Sequence, residues 1–216
     1  MIIEVMKKFF VLMTVMLVAV PVSMQADELS KALKKEYKAK MKDLKKGKWE
    51  LYNSSRTLEV SLLSFYEELN SKENVREIVG EASRFSSKSV GHQTAINDAC
   101  RTYAQQAGGS VKGRVTSDLA SDGEDVASEF EHFYAAYERL VEKEIQGELQ
   151  EKFSIIRKID KDKNGNSIYE MQTFFLVDEN AATQARIRAY QNALRETEAA
   201  QKYAEQISGF VQAGFE

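Results

Sequence analysis

The sequence predicts an α+β fold: a small antiparallel sheet with helices packed on one face, plus amphipathic N- and C-terminal helices. Three observations carry this expectation. Apolar residues recur at intervals of three and four over several long stretches, the period of a helix with one buried face. Two runs rich in β-branched and aromatic residues, 153–159 and 168–177, flank a polar segment containing Asn164-Gly165, which is a strong hairpin signal. A third run, 75–85, reads as a strand, with Gly80 as a bulge or a point of close backbone approach.

Taken in order, Lys7 and Lys8 precede an apolar run from Phe9 to Val20, Pro21 breaks it, and a stretch of small residues ends at Ala26. This is the pattern of a secretory signal peptide, with cleavage expected after Ala26. About a dozen apolar residues are fewer than the roughly 20 that a membrane-spanning helix requires. No cysteine lies near Ala26 to accept a lipid, so the expectation is an exported protein, periplasmic or secreted, without a lipid anchor. The domain organisation expected is a signal peptide at 1–26, a helical extension at 27–72 and an α+β domain at 73–216.

In the extension, Leu29, Leu33, Tyr37, Met41 and Leu44 form one helical stripe, read as a candidate partner-docking face. The other faces carry Lys31, Lys34, Lys35, Lys38, Lys40, Lys42, Lys45 and Lys46, which suits either a solvated surface or weak contact with an anionic membrane. Gly47 ends the helix, Trp49 to Tyr52 is a short extended segment, and Leu58, Leu62, Phe65 and Leu69 return to helical spacing. Ala95, Ala99, Cys100, Tyr103 and Ala107 mark a helix whose small side chains allow close packing, continuing through Val111 and Val115 despite Gly108-Gly109. A turn is expected at Ser121-Asp122-Gly123. Phe130, Phe133, Tyr137, Val141 and Ile145 mark the next helix, and an alanine-rich run from Glu179 onward predicts one long last helix.

Charge and composition narrow the function. Thirty basic residues against 33 acidic ones give a net charge of -3, which excludes a strongly basic nucleic-acid binder. At 43% hydrophobic and 29% charged, the chain has the balance of a folded domain. Cys100, the one cysteine, sits in an apolar helical pattern and reads as a buried thiol, with an interchain disulfide as the other outcome.

Motifs for chemistry are incomplete. Asp160, Asp162, Asn164 and Gly165 match the first half of a calcium-binding loop, but its eighth and twelfth positions hold Ser167 and Met171 where an apolar residue and a bidentate Glu are needed. A polar hairpin turn is the expectation. His92 and His132 have no Cys or His neighbour at zinc-ligand spacing. Neither a Gly-x-Ser-x-Gly elbow nor a phosphate-cradling glycine loop is present. Carboxylates such as Glu138, Glu142, Glu144, Glu148 and Glu151 could supply a hydrolytic pair only if two of them faced one cleft. No catalytic, cofactor-binding or metal-binding residue is assigned, and no cofactor is implied.

The strand ending Val79-Gly80-Glu81-Ala82, the following helix with Ala95, Ala99 and Ala104, and a hairpin whose second strand runs Tyr169 to Val177 resemble secreted and periplasmic modules related to the lipoprotein-twenty-like family and to the N-terminal domain of a flagellar basal-body protein. The resemblance covers roughly residues 75 to 195. The front end, with Gly47-Lys48-Trp49 after a lysine-rich helix, is similar to exported gut-bacterial proteins. These resemblances imply an α+β module of the cell envelope without known catalysis, and the amphipathic end helices motivate the expectation that it binds an envelope protein partner or supports an assembly. Many relatives carry a lipidated cysteine at the mature N-terminus, which this chain lacks.

Overall fold

A computed structural model describes residues 22–119, 125–196, 198–201 and 203–215. The expected export segment up to Pro21 and the expected turn at 121–123 lie outside the described residues. The elements are α1 (Val22–Lys46), β1 (Glu50–Tyr52), α2 (Leu58–Ser71), β2 (Val75–Phe85), α3 (Lys88–Leu119), α4 (Asp125–Ile145), β3 (Gln150–Lys161), β4 (Ser167–Asp178), α5 (Glu179–Glu196), α6 (Glu198–Gln201) and α7 (Ala204–Ala213). The strand order is β1-β3-β4-β2 and every pairing is antiparallel. The α+β expectation therefore holds.

The chain divides into two compact units, 1–43 and 44–216. The boundary expected at 72/73 falls inside the second unit. Its reason is β1: three residues, Glu50 to Tyr52, pair with Ile156 to Ser154 of β3 and tie the segment before 73 to the sheet.

Alternation along β4 decides the layering, because neighbouring strand residues point to opposite faces. Phe175 and Val177 enter a core built with Tyr103 of α3, Phe133 and Tyr137 of α4, and Ala185 and Ala189 of α5. Phe174, on the other face, stacks on Phe153 at 4.5 Å, and Phe65 of α2 meets both rings edge-on at 5.7 and 5.8 Å. Helices thus cover both faces. The larger layer is the one the sequence predicts, and α2 adds a smaller layer opposite it. Thr57 starts α2 by accepting from the Val60 amide at 3.3 Å, a conventional N-cap.

Gly80 is a close-approach point and not a bulge, since its partner in β4 is in register. The irregularity in β2 lies between Ser83 and Phe85, where Arg84 adopts φ 56°. Asp98 of α3 accepts from the Glu81 amide at 2.9 Å, so α3 also occupies a hydrogen-bonding group on the outer edge of β2.

The single last helix expected from Glu179 is instead α5, α6 and α7. A continuous helix would carry Ile207 and Val211 past the end of the core. Folding back buries both against α3 and α5. The turn is secured by the Tyr190 hydroxyl, which donates to the Ala204 carbonyl, and by Arg186 Nε, which donates to the Val211 carbonyl at 3.3 Å.

Candidate functional site

The expected docking stripe is only partly accessible. Met41 and Leu44 are buried, Leu33 and Tyr37 are half-buried, and the Leu29 side chain lies outside the described residues. An apolar residue at every turn is equally the pattern of a helix that packs within its own chain, and Leu44, in the second unit, follows that alternative. Lys31, Lys34, Lys35 and Lys38 of α1 are exposed.

A different surface gathers an excess of positive charge. An open groove of about 640 Å³ runs along the part of β3 that extends beyond its pairing with β1. Lys48 reaches it from the link between α1 and β1, Lys88 from the first residue of α3, and Lys158 and Lys161 from β3. Among the described residues none of these four has a carboxylate partner; Lys88 lies 5.0 Å from the Tyr169 ring centroid. Glu50 and Asp160 also line the groove, and Asp160 lies 3.8 Å from Arg84. Ile156, Tyr169 and the 39% exposed Ile159 supply the apolar part of the lining.

One wall is rigid. Arg157 pairs with Glu170 and stacks over Trp49 at 4.6 Å. The end of α1 closes with two bonds, Lys48 amide to Lys45 carbonyl at 3.1 Å and Trp49 amide to Leu44 carbonyl at 3.0 Å. This is a Schellman motif, whose left-handed position normally holds glycine; here Lys48 occupies it at φ 55°.

A second groove of about 590 Å³ lies beside the C-terminal turn and reaches Arg186, which is 3% exposed. Arg186 donates to the Tyr103 hydroxyl, to Thr183 Oγ1 at 2.8 Å and to the Val211 carbonyl. Its Nη1 lies 3.5 Å from Glu179 Oε2, while Arg76 Nε lies 2.6 Å from Glu179 Oε1 in an ion pair whose N–H is poorly aimed at the oxygen. The Phe215 ring is 4.0 Å from the Arg76 guanidinium and 5.3 Å from that of Arg186. Arg186 spends its donors inside the protein, so this cluster is a latch for the C-terminal turn.

Catalytic groupings fare as follows. His92 Nε2 lies 2.9 Å from Glu151 Oε1, and Ser154 Oγ donates to that same oxygen at 2.7 Å. The three residue types of a hydrolytic triad meet, but the carboxylate sits between serine and histidine. Nucleophile activation needs the imidazole in that place, and Ser154 is buried. Cys100 is buried and its thiol is pushed up to about 11 by burial and by the nearby Glu142 charge, which keeps it protonated at neutral pH. Burial and the neighbouring Glu131 raise the Glu138 carboxyl, against the opposing pull of Lys112. Glu138 lines neither groove, and Glu131 is an exposed group paired with Lys112 at 2.6 Å. His132 is exposed. Among the described residues no group of three or more His, Cys, Asp or Glu side chains is placed to hold a metal.

The hairpin loop closes on itself. Asp162 Oδ1 accepts from the amides of Asn164 and Asn166, and Oδ2 from Asn166 Nδ2, all at 2.8 Å. Those bonds hold the Asp162 carboxyl below its ordinary value.

Comparison of the chain with family models, with curated proteins and with solved structures finds no match. The groove lysines escaped the sequence reading because they come from three separate segments, each an ordinary solvated lysine in its local pattern.

Proposed function

We propose that this is an exported cell-envelope protein that works by binding a partner or supporting an assembly, without catalysing a reaction. The observation that supports this reading is the lysine-lined groove. Four lysines from distant segments line one groove without an ion-paired carboxylate among the described residues, and with Arg157 they outnumber the two carboxylates in the same lining, Glu50 and Asp160, which suits recognition of an anionic partner. The carboxylate-pair hydrolase reading has less support: Glu138 lines neither groove, and of the two carboxylates that share the first groove, Glu50 and Asp160, Asp160 is engaged by Arg84 and by the Lys161 amide.

Two measurements test the proposal. A fusion of residues 1–26 to an enzyme active only outside the cytoplasm should be active; an inactive, stably expressed fusion overturns export. A photocrosslinking amino acid at Ile159 should give a discrete adduct in the producing cell that disappears in the Lys158→Glu/Lys161→Glu protein. An adduct pattern equal to that from the exposed position Arg195, unaffected by charge reversal, overturns binding through this face.

The second reading is peripheral contact with an anionic membrane through α1, favoured by its exposed lysines. It predicts vesicle binding that weakens with salt and with Lys34→Glu/Lys38→Glu.

A further inference from the structure

We infer that the groove between β3, the start of α3 and the link that leads into β1 binds a phosphate-bearing ligand; this rests on the binding reading above and names the chemistry of what is bound.

Three observations converge on it. The first is the excess of cations: Lys48, Lys88, Lys158 and Lys161, with Arg157, line one volume of about 640 Å³ against two carboxylates, Glu50 and Asp160, and that size suits a small-molecule ligand. The second is their kind. Each lysine ammonium is a compact point charge with three rotatable donors, a common partner for phosphate oxygens, which can be met from several sides. The arginine at this groove, Arg157, donates through Nε to Glu170 and lies over Trp49, which leaves most of the unpaired positive charge of the groove on the lysines.

The third observation is conformational. Lys48 holds the left-handed position of the helix-ending motif at φ 55°, where glycine would be unstrained. A residue kept in a strained backbone conformation points to a role for its side chain, and here that side chain lines the groove. Strand addition at the same edge is the poorer alternative. β3 carries an irregularity between Lys158 and Asp160, and bulges and edge lysines are features that discourage pairing with another strand. The apolar patch of Ile156, Ile159 and Tyr169 beside the ammonium groups suits a phosphate joined to a less polar moiety.

The test is calorimetric titration of the purified protein with inorganic pyrophosphate, alongside sedimentation with vesicles of phosphatidylglycerol in phosphatidylcholine. Binding of pyrophosphate assigns a soluble phosphate compound, and binding of vesicles alone assigns a lipid headgroup; either supports the inference when it depends on the groove lysines. Lys158→Ala/Lys161→Ala should weaken the observed binding at least tenfold, and Lys34→Ala/Lys38→Ala on α1 should leave it unchanged. Lys48→Gly should raise the melting temperature and yet weaken binding several-fold, a pair of effects that misfolding cannot produce.

Equal loss in the α1 variant overturns the inference, as does unchanged affinity in Lys48→Gly. Binding of an oligoglutamate peptide with no binding of either phosphate probe also overturns it, while leaving the partner-binding function standing. No binding of any anion together with the loss of a specific Ile159 crosslink removes both.

Discussion

Gly80 of β2 and Ala95 of α3 are in backbone contact: a methyl group on Gly80 would lie 1.8 Å from the Ala95 carbonyl oxygen and 2.9 Å from the Ala99 Cβ. The clash is with main chain, which cannot rotate away. Gly80→Ala should destabilise the protein by about 3 kcal/mol, since α3 must lift from the sheet to admit it. Urea denaturation measures this directly, and a loss below about 1 kcal/mol would mean that the helix rides on the sheet more loosely than described.

Two buried tyrosines should respond oppositely to loss of their hydroxyls. The Tyr103 hydroxyl accepts from Arg186, whereas the Tyr137 hydroxyl finds no hydrogen-bond partner among the described residues. Tyr103→Phe should cost about 1.5 kcal/mol, and Tyr137→Phe should be neutral or stabilising, because an unmet buried hydroxyl has only a desolvation cost to lose. Thermal melts of the two variants side by side decide it.

Arg186 holds the fold-back of the C-terminal helices through Thr183, Tyr103 and the Val211 carbonyl. Arg186→Met should cost about 3 kcal/mol and loosen α7 first, as the buried partners lose their donor. Limited proteolysis should then cut within 197–215 before any other segment. Cleavage spread evenly along the chain would contradict the latch.

Stability should fall as pH rises above about 9. Burial raises the Cys100 thiol from 9.0 to about 11, the Tyr134 hydroxyl from 10.0 to about 12, and those of Tyr103, Tyr137 and Tyr190 upward as well. Each group keeps its proton in the folded protein at a pH where the unfolded chain has released it. The stability contribution is complete below the unfolded values and declines as pH climbs toward the folded ones. Tyrosinate absorbance and loss of helix by circular dichroism should therefore rise together in one transition, with Cys100 alkylated only as that transition proceeds.

Calcium should leave the melting temperature unchanged. Both Asp162 oxygens are taken by donors of its own loop, and Asp160 Oδ1 accepts from the Lys161 amide. A metal ion would have to break those bonds before gaining the ligands. A rise of several degrees in millimolar calcium would show that the loop rearranges.

The elements were legible where a local pattern had one structural meaning. The β-branched and aromatic runs around Asn164-Gly165 became β3 and β4, and the small residues Ala95 and Ala99 mark the part of α3 that lies against Gly80 of β2. The stripe from Leu29 to Leu44 was ambiguous because docking to a partner and packing within the chain demand the same spacing. The last helix departs from its local pattern for a related reason: alanine propensity favours continuation, and burial of Ile207 and Val211 outweighs it.

The sequence by itself determined the α+β class, the hairpin, the helix periods and the small residues that let α3 approach the sheet, since each depends on neighbours within a few positions. Tertiary structure alone decided the second helical layer, the C-terminal fold-back and the gathering of Lys48, Lys88, Lys158 and Lys161 in one groove. Those features depend on which distant surfaces meet, and a solvated lysine carries no local mark of the company that folding gives it.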